Sequence, residues 1–236
     1  MRIVSLTKET TRDILDNLLK RSPNNYGKYE SAVAEILANV KTKGDEALFS
    51  YTKEFDKAEI TAETIKVTED EIQEAYSLVD PALVDVIRKA LVNIRSYHEK
   101  QKQNSWFTSD TDGTMLGQKV TALERVGVYV PGGKAVYPSS VLMNIVPAKV
   151  AGVDQIVMTT PPGKNGKVNP STLVAAKEAG ADEIYKVGGA QAIGALAYGT
   201  ESIPKVDKIV GPGNIFVALA KKAVYGYVSI DSIAGP

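Results

Sequence analysis

Residues 125–160 read RVGVYVPGGKAVYPSSVLMNIVPAKVAGVDQIVMTT, and this stretch decides the fold. Residues 125–130 are short, apolar and valine-rich, and they stop at Pro131-Gly132-Gly133. A helical pattern runs from Pro138 to Gly152, and a second short apolar run covers residues 155–160. Strand, helix and strand at this spacing predict two parallel strands joined through a helix. The unit then repeats outward. Residues 169–180 read as a helix, 183–188 as a strand, 190–199 as a helix, 207–211 as a strand and 214–226 as a helix. The closing VSIDSIAG, residues 228–235, reads as a fifth strand. Such alternation predicts an α/β fold with a parallel sheet covered by helices on both faces.

Punctuation supports this reading. Gly152, Gly180 and Gly226 stand where helices end. Asn169-Pro170 is a cap followed by a first-turn proline. Pro147 lies inside a helical pattern and predicts a kink or a late start.

Residues 1–104 have a different grammar. Ile14, Leu15, Leu18 and Leu19 recur at helical spacing, as do Val33, Ile36, Leu37 and Val40. Thr68 and Glu71 form a capping box. Asp80-Pro81 opens a long helix to about Gln103, with Leu83, Ile87, Leu91 and Ile94 as its apolar stripe. Beyond it, Asp112-Gly113 is a hairpin turn, with a second strand over residues 115–123. Two regions follow: a helical one over 1–104 and the parallel-sheet one over 105–236.

Composition narrows the function. Lys+Arg and Asp+Glu are 28 each, so charge gives no case for a nucleic-acid or anionic-membrane partner. Cysteine is absent, which excludes disulfides, thiolate nucleophiles and cysteine metal sites. The single histidine, His98, sits in a charged helix end, so a metal site built here would need carboxylates. No long apolar run suggests a signal peptide or a membrane span, which makes the cytoplasm the default location.

Ligands of open parallel sheets bind outside the carboxyl ends of the strands. Here those ends carry Tyr129-Val130-Pro131-Gly132-Gly133, Thr159-Thr160-Pro161-Pro162, Gly188-Gly189-Ala190-Gln191 and Gly211-Pro212-Gly213-Asn214. Glycine admits close backbone approach, and a helix start favours an anion such as pyrophosphate. Tyr129, Gln191 and Asn214 are the polar side chains placed to read the rest of the ligand. The dinucleotide fingerprint G-x-G-x-x-G is absent, no acidic residue ends the 155–160 strand, and the P-loop spacing is not met. The residues alone give a nucleotide or other small-molecule site at a sheet edge.

Three segments carry a resemblance: residues 122–153, residues 186–226 and the final IDSIAGP, residues 230–236. Together they resemble histidinol dehydrogenase, and YHEKQ at 97–101 also fits. The resemblance implies a zinc-dependent homodimer that oxidises L-histidinol to L-histidine in two NAD-dependent steps through an aldehyde. It implies a Rossmann-like sheet in an aldehyde-dehydrogenase-like two-domain architecture, the second domain incomplete here and residues 1–104 belonging to it. That incompleteness predicts exposed apolar surface on residues 30–100. The family's NAD-contacting tyrosine, glutamine and asparagine fall on Tyr129, Gln191 and Asn214. Its substrate-binding serine, its Glu-His pair with the general base and its zinc ligands have no counterpart in these 236 residues. The resemblance therefore implies an N-terminal portion that is inactive alone, with no catalytic or metal residue to assign. A shortened paralogue serving as a nucleotide-binding or assembly module is the alternative. An aldehyde-dehydrogenase-type enzyme would need a cysteine that this chain lacks.

Overall fold

The computed structural model describes residues 5, 7–19, 27–132 and 136–233. Gly133 and the closing residues 234–236 lie outside the described residues. Five helices come first: α1 (Lys8–Leu19), α2 (Gly27–Lys43), α3 (Asp45–Phe55), α4 (Glu69–Leu78) and α5 (Pro81–Glu99). A hairpin of β1 (Trp106–Ser109) and β2 (Met115–Gln118) follows. Then come β3 (Arg125–Tyr129), α6 (Pro138–Ala151), β4 (Gln155–Thr160), α7 (Pro170–Ala179), β5 (Glu183–Lys186), α8 (Gly189–Tyr198), β6 (Lys208–Val210), α9 (Ile215–Val224) and β7 (Ser229–Ile230).

The five-stranded sheet is parallel throughout, in the order β5-β4-β3-β6-β7. The chain starts in the middle, winds outward through β4 and β5, then returns to β6 on the other side of β3. That places the topological switch point between β3 and β6. The β5 edge is covered locally. Val67 N donates to Ile184 O at 2.9 Å, and Lys186 N donates to Ile65 O at 2.8 Å.

Each sheet face carries its own hydrophobic cluster. On one face α8 and α9 lie against the sheet, and Val33, Leu37 and Val40 of α2 and Leu48 of α3 pack over them. On the other, α6 and α7 cover the sheet, and Ile72 and Ala75 of α4 and Val84 and Ile87 of α5 pack outside. The α2 stripe is thus buried rather than exposed. The exposed apolar groups of residues 30–100 include Phe55, Leu78, Val86 and Val92.

Several details differ from the sequence reading. The α5 stripe starts at buried Val84 instead of Leu83, which is exposed. Pro147 stands inside α6 without delaying its start at Pro138. Gly152 and Gly180 close α6 and α7 in the left-handed conformation, whereas α9 ends on an extended Tyr225 and Gly226 belongs to the following turn. The hairpin is shorter than expected, and Trp106, Phe107, Met115 and Leu116 are all exposed. The last strand is only two residues long.

Candidate functional site

The site is built outward from Tyr129, the last residue of β3. Its ring is 4 % exposed, and its phenol oxygen accepts a hydrogen bond from Gly189 N at 3.2 Å. Burial pushes the phenol pKa up to about 12; the Gly189 N–H opposes the shift and the Asp56 carboxylate adds to it. Gly189 opens α8 with a φ of 66°, a conformation that glycine tolerates best. Gln191, in the first turn of α8, is 1 % exposed. A Cβ on Gly189 would lie 2.6 Å from Gln191 Oε1, so the glutamine amide sits directly beside the Tyr129–Gly189 bond.

Among the described residues, three buried side-chain atoms have no hydrogen-bond partner: Asp56 Oδ2, Thr159 Oγ1 and Gln191 Oε1. Thr159 and Gln191 lie beside the Tyr129–Gly189 pair, and Asp56 acts on the phenol electrostatically. Thr159 is the register partner of Tyr129 on β4, so the two side chains share a sheet face. Gln191 lies beside Gly189. Asp56 caps the end of α3 and bears electrostatically on the phenol. Burial raises the Asp56 carboxyl to about 6. A buried polar atom without a partner costs about 1–3 kcal/mol. Three of them on the Tyr129 face of the sheet mark a place where water or a ligand group supplies the missing bonds.

The opposite wall is the turn after β6. Gly211 has a φ of 118°, and a Cβ there would lie 2.1 Å from Tyr129 O. Only glycine lets the ends of β3 and β6 come this close. Asn214 ends the turn and caps α9, its Oδ1 accepting from Phe216 N at 3.0 Å and Val217 N at 3.2 Å. The asparagine oxygen is therefore engaged, and its exposed amide N–H groups remain for a ligand. Tyr129 and Gln191 thus meet in one buried corner, while Asn214 stands at the rim of the neighbouring turn.

A cavity of about 530 Å³ opens on the other face, against the ends of β3 and β4. Tyr129, Gln191 and Asn214 do not line it. Its charged groups already have partners: Lys167 Nζ donates to Glu74 at 2.7 Å, and Glu71 accepts from Lys186 at 2.6 Å. Those bonds leave little unmet demand for a ligand.

The family model for histidinol dehydrogenase matches residues 19–236. The chain belongs to the histidinol dehydrogenase family. A histidinol dehydrogenase of Bacillus subtilis (strain 168) is 62 % identical over 204 residues, covering 86 % of this chain and 47 % of that protein. The one from Methanocaldococcus jannaschii is 54 % identical over 235 residues, covering 99 % of this chain and 54 % of its own length. A crystal structure of histidinol dehydrogenase from Elizabethkingia anophelis superposes with a TM-score of 0.83 at 42 % identity, over 87 % of this chain and 47 % of that one. The chain spans about half the length of the curated relatives it matches.

Sequence reasoning missed Asp56 and Lys221, and it named Thr159 only as part of a strand end. Lys221 had a signal: with Val217 and Val224 it falls on the apolar stripe of α9, where a lysine is out of place. Asp56 follows the end of a helix, and Thr159 sits in a strand buried on both sides. Nothing local distinguishes Asp56, because only the packing of α3 brings it towards Tyr129, whereas the β3–β4 register places Thr159 there.

Proposed function

We propose that this chain supplies the dinucleotide-holding part of an NAD-dependent oxidation of L-histidinol to L-histidine through histidinaldehyde, the last step of histidine biosynthesis. The observation that carries the reading is the convergence of unpartnered polar atoms on Tyr129, beside the glycine turns of the switch point. These groups suit a ligand rich in hydroxyl and amide groups. Bound NAD would accept the hydride. The residues here would hold and orient it: Gln191 and Thr159 through hydrogen bonds, Asn214 through its amide, and the glycine turns through close backbone approach.

In the same reading the working enzyme is a cytoplasmic, zinc-using homodimer with no nucleic-acid or membrane partner. No helix among the described residues is long and apolar enough to cross a membrane. Among the described residues no group of three or more His, Cys, Asp or Glu side chains is placed to hold a metal. Removing a hydride from an alcohol also needs a base for the hydroxyl proton. His98, near the end of α5, is hydrogen-bonded to Gln101 at 2.7 Å and contacts none of the site residues named above. The 236 residues by themselves are thus expected to bind NAD without turnover.

Calorimetric titration of the chain with NAD tests this reading. Gln191→Leu is expected to weaken binding about tenfold, a loss of ~1.4 kcal/mol, with the helix content unchanged. Equal affinity of the two proteins, or NADH formation by this chain from histidinol, would overturn it.

A further inference from the structure

Lys221 is a charged group that the function described so far does not use. It is 2 % exposed and lies on the apolar stripe of α9. Its Nζ donates to Gly211 O at 2.9 Å and to Asp231 Oδ1. Asp231, just past β7, also accepts from Gly211 N through Oδ2 at 3.0 Å and from Ser232 N through Oδ1 at 2.7 Å. One ion pair therefore holds both backbone polar atoms of a single residue. Burial alone would raise the Asp231 carboxyl; the bonds from Lys221, Gly211 and Ser232, with the lysine charge, outweigh it and hold the carboxyl below its usual range.

Burying the Lys221 charge to reach a partly exposed carboxylate is a poor means of stabilising a fold, because desolvation of the lysine offsets much of the attraction and an apolar residue there does as well. What an apolar pair cannot do is grip an N–H and a C=O together. The gripped residue is the one that needs it. Gly211 begins Gly211-Pro212-Gly213, a run with two glycines and one missing donor, whose freedom is costly to remove. It also holds a φ of 118° against the backbone of Tyr129. Asn214 follows directly.

We propose that Lys221 and Asp231 are positioning residues of the dinucleotide site: the pair of buried Lys221 with partly exposed Asp231 fixes the peptide groups of Gly211 and thereby the turn that presents Asn214 to the ligand. The proposal rests on the NAD reading above. The pair acts through the backbone and need not touch the ligand itself.

Two double variants of the 236-residue chain test it. Lys221→Gln with Asp231→Asn keeps donors and acceptors for Gly211 but removes both charges. Lys221→Met with Asp231→Leu removes the charges and the grip together. The amide pair is expected to bind NAD within about threefold of the native chain, and the apolar pair about tenfold more weakly, both retaining native helix content. Equal affinities for the two variants would overturn the proposal, since the grip on Gly211 would then be immaterial. If the native chain bound no NAD, the functional reading would fall and this proposal with it; native binding with indistinguishable variants would sink this proposal alone. Should the apolar pair fail to fold, hydrogen exchange of the native chain decides. NAD is expected to slow exchange at Gly211 and Gly213, and unchanged exchange at both would contradict the proposal.

Discussion

The two faces of the parallel sheet are built alike and finished differently. Both carry a layer of helices over a buried cluster, and both take helices from the N-terminal region as an outer layer. On the α4–α7 face, the polar groups near the core are partnered. Lys186 donates to Glu71 at 2.6 Å, Glu71 completes the Thr68 capping box, and Tyr76 OH donates to Glu178 at 2.8 Å. Lys149 and Ile156 N both donate to Asp182. The α8–α9 face holds all three unpartnered buried atoms found among the described residues, and Lys221 with them. Completed polar networks specify a fold, whereas unmet hydrogen-bonding demand in one corner is a cost that a binding site explains.

The contrast can be broken most forcefully at Gly211. Gly211→Ala drives a Cβ into the Tyr129 carbonyl from a strained backbone angle. It is expected to cost about 3–5 kcal/mol, read by urea denaturation. A loss under ~1 kcal/mol would show that the strand ends can part freely. Next come the apolar cores, where the two faces should behave alike. Leu48→Ala on one and Ile145→Ala on the other remove fully buried side chains, and each is expected to cost about 2–5 kcal/mol.

Much of this arrangement was legible in the sequence, for physical reasons. The 155–160 strand has the bounds expected of it, because a fully buried strand is a continuous apolar run. The Thr68 and Asn169 caps were readable because each is completed by atoms two or three residues away. That Tyr129 ends a strand and that Gln191 and Asn214 stand at helix starts was legible, because strand ends and helix starts fix those positions; their ligand contacts are the proposal. What stayed hidden depends on distant packing. The sequence cannot show that Asp56, at the end of α3, bears on the phenol, whereas the Asn214 cap, completed by Phe216 N and Val217 N, is as local as the Asn169 cap and simply went unread. The separate helix α3 went unread, its start being set by Gly44 at a φ of 54°.

Smaller effects sharpen the difference between the faces. Tyr76→Phe on the completed face loses the bond to Glu178 and is expected to cost about 1 kcal/mol. Thr159→Val on the other face removes an oxygen that has no partner. It should leave stability unchanged or slightly raised while weakening NAD binding, measured by thermal melts and titration. A clear loss of stability in Thr159→Val would indicate that a fixed water already satisfies that hydroxyl.

A pH dependence is expected from Asp56. Its folded carboxyl titrates at about 6 against an ordinary value of 3.8, so the folded state binds the extra proton between the two. Stability conferred by the neutral form is present below the lower value and is lost as pH rises through about 6. Asp56→Asn should abolish this decline, and a melting temperature with the same pH slope in both proteins would contradict the burial of Asp56. Asp231, held below 3.8, acts oppositely: its contribution is present above pH 4 and is lost in stronger acid.

In the proposed reading the Tyr129 corner and the neighbouring Gly211 turn form the dinucleotide site. The most direct measurement is a titration of the ¹⁵N-labelled chain with NAD, followed residue by residue by NMR. Shifts are expected to concentrate at Gly189, the Gln191 side-chain amide and Gly211 to Asn214, with little change around Pro162 and Lys167. Shifts gathered at the Pro162–Lys167 cavity, or none at Gly189 and Gln191, would contradict it.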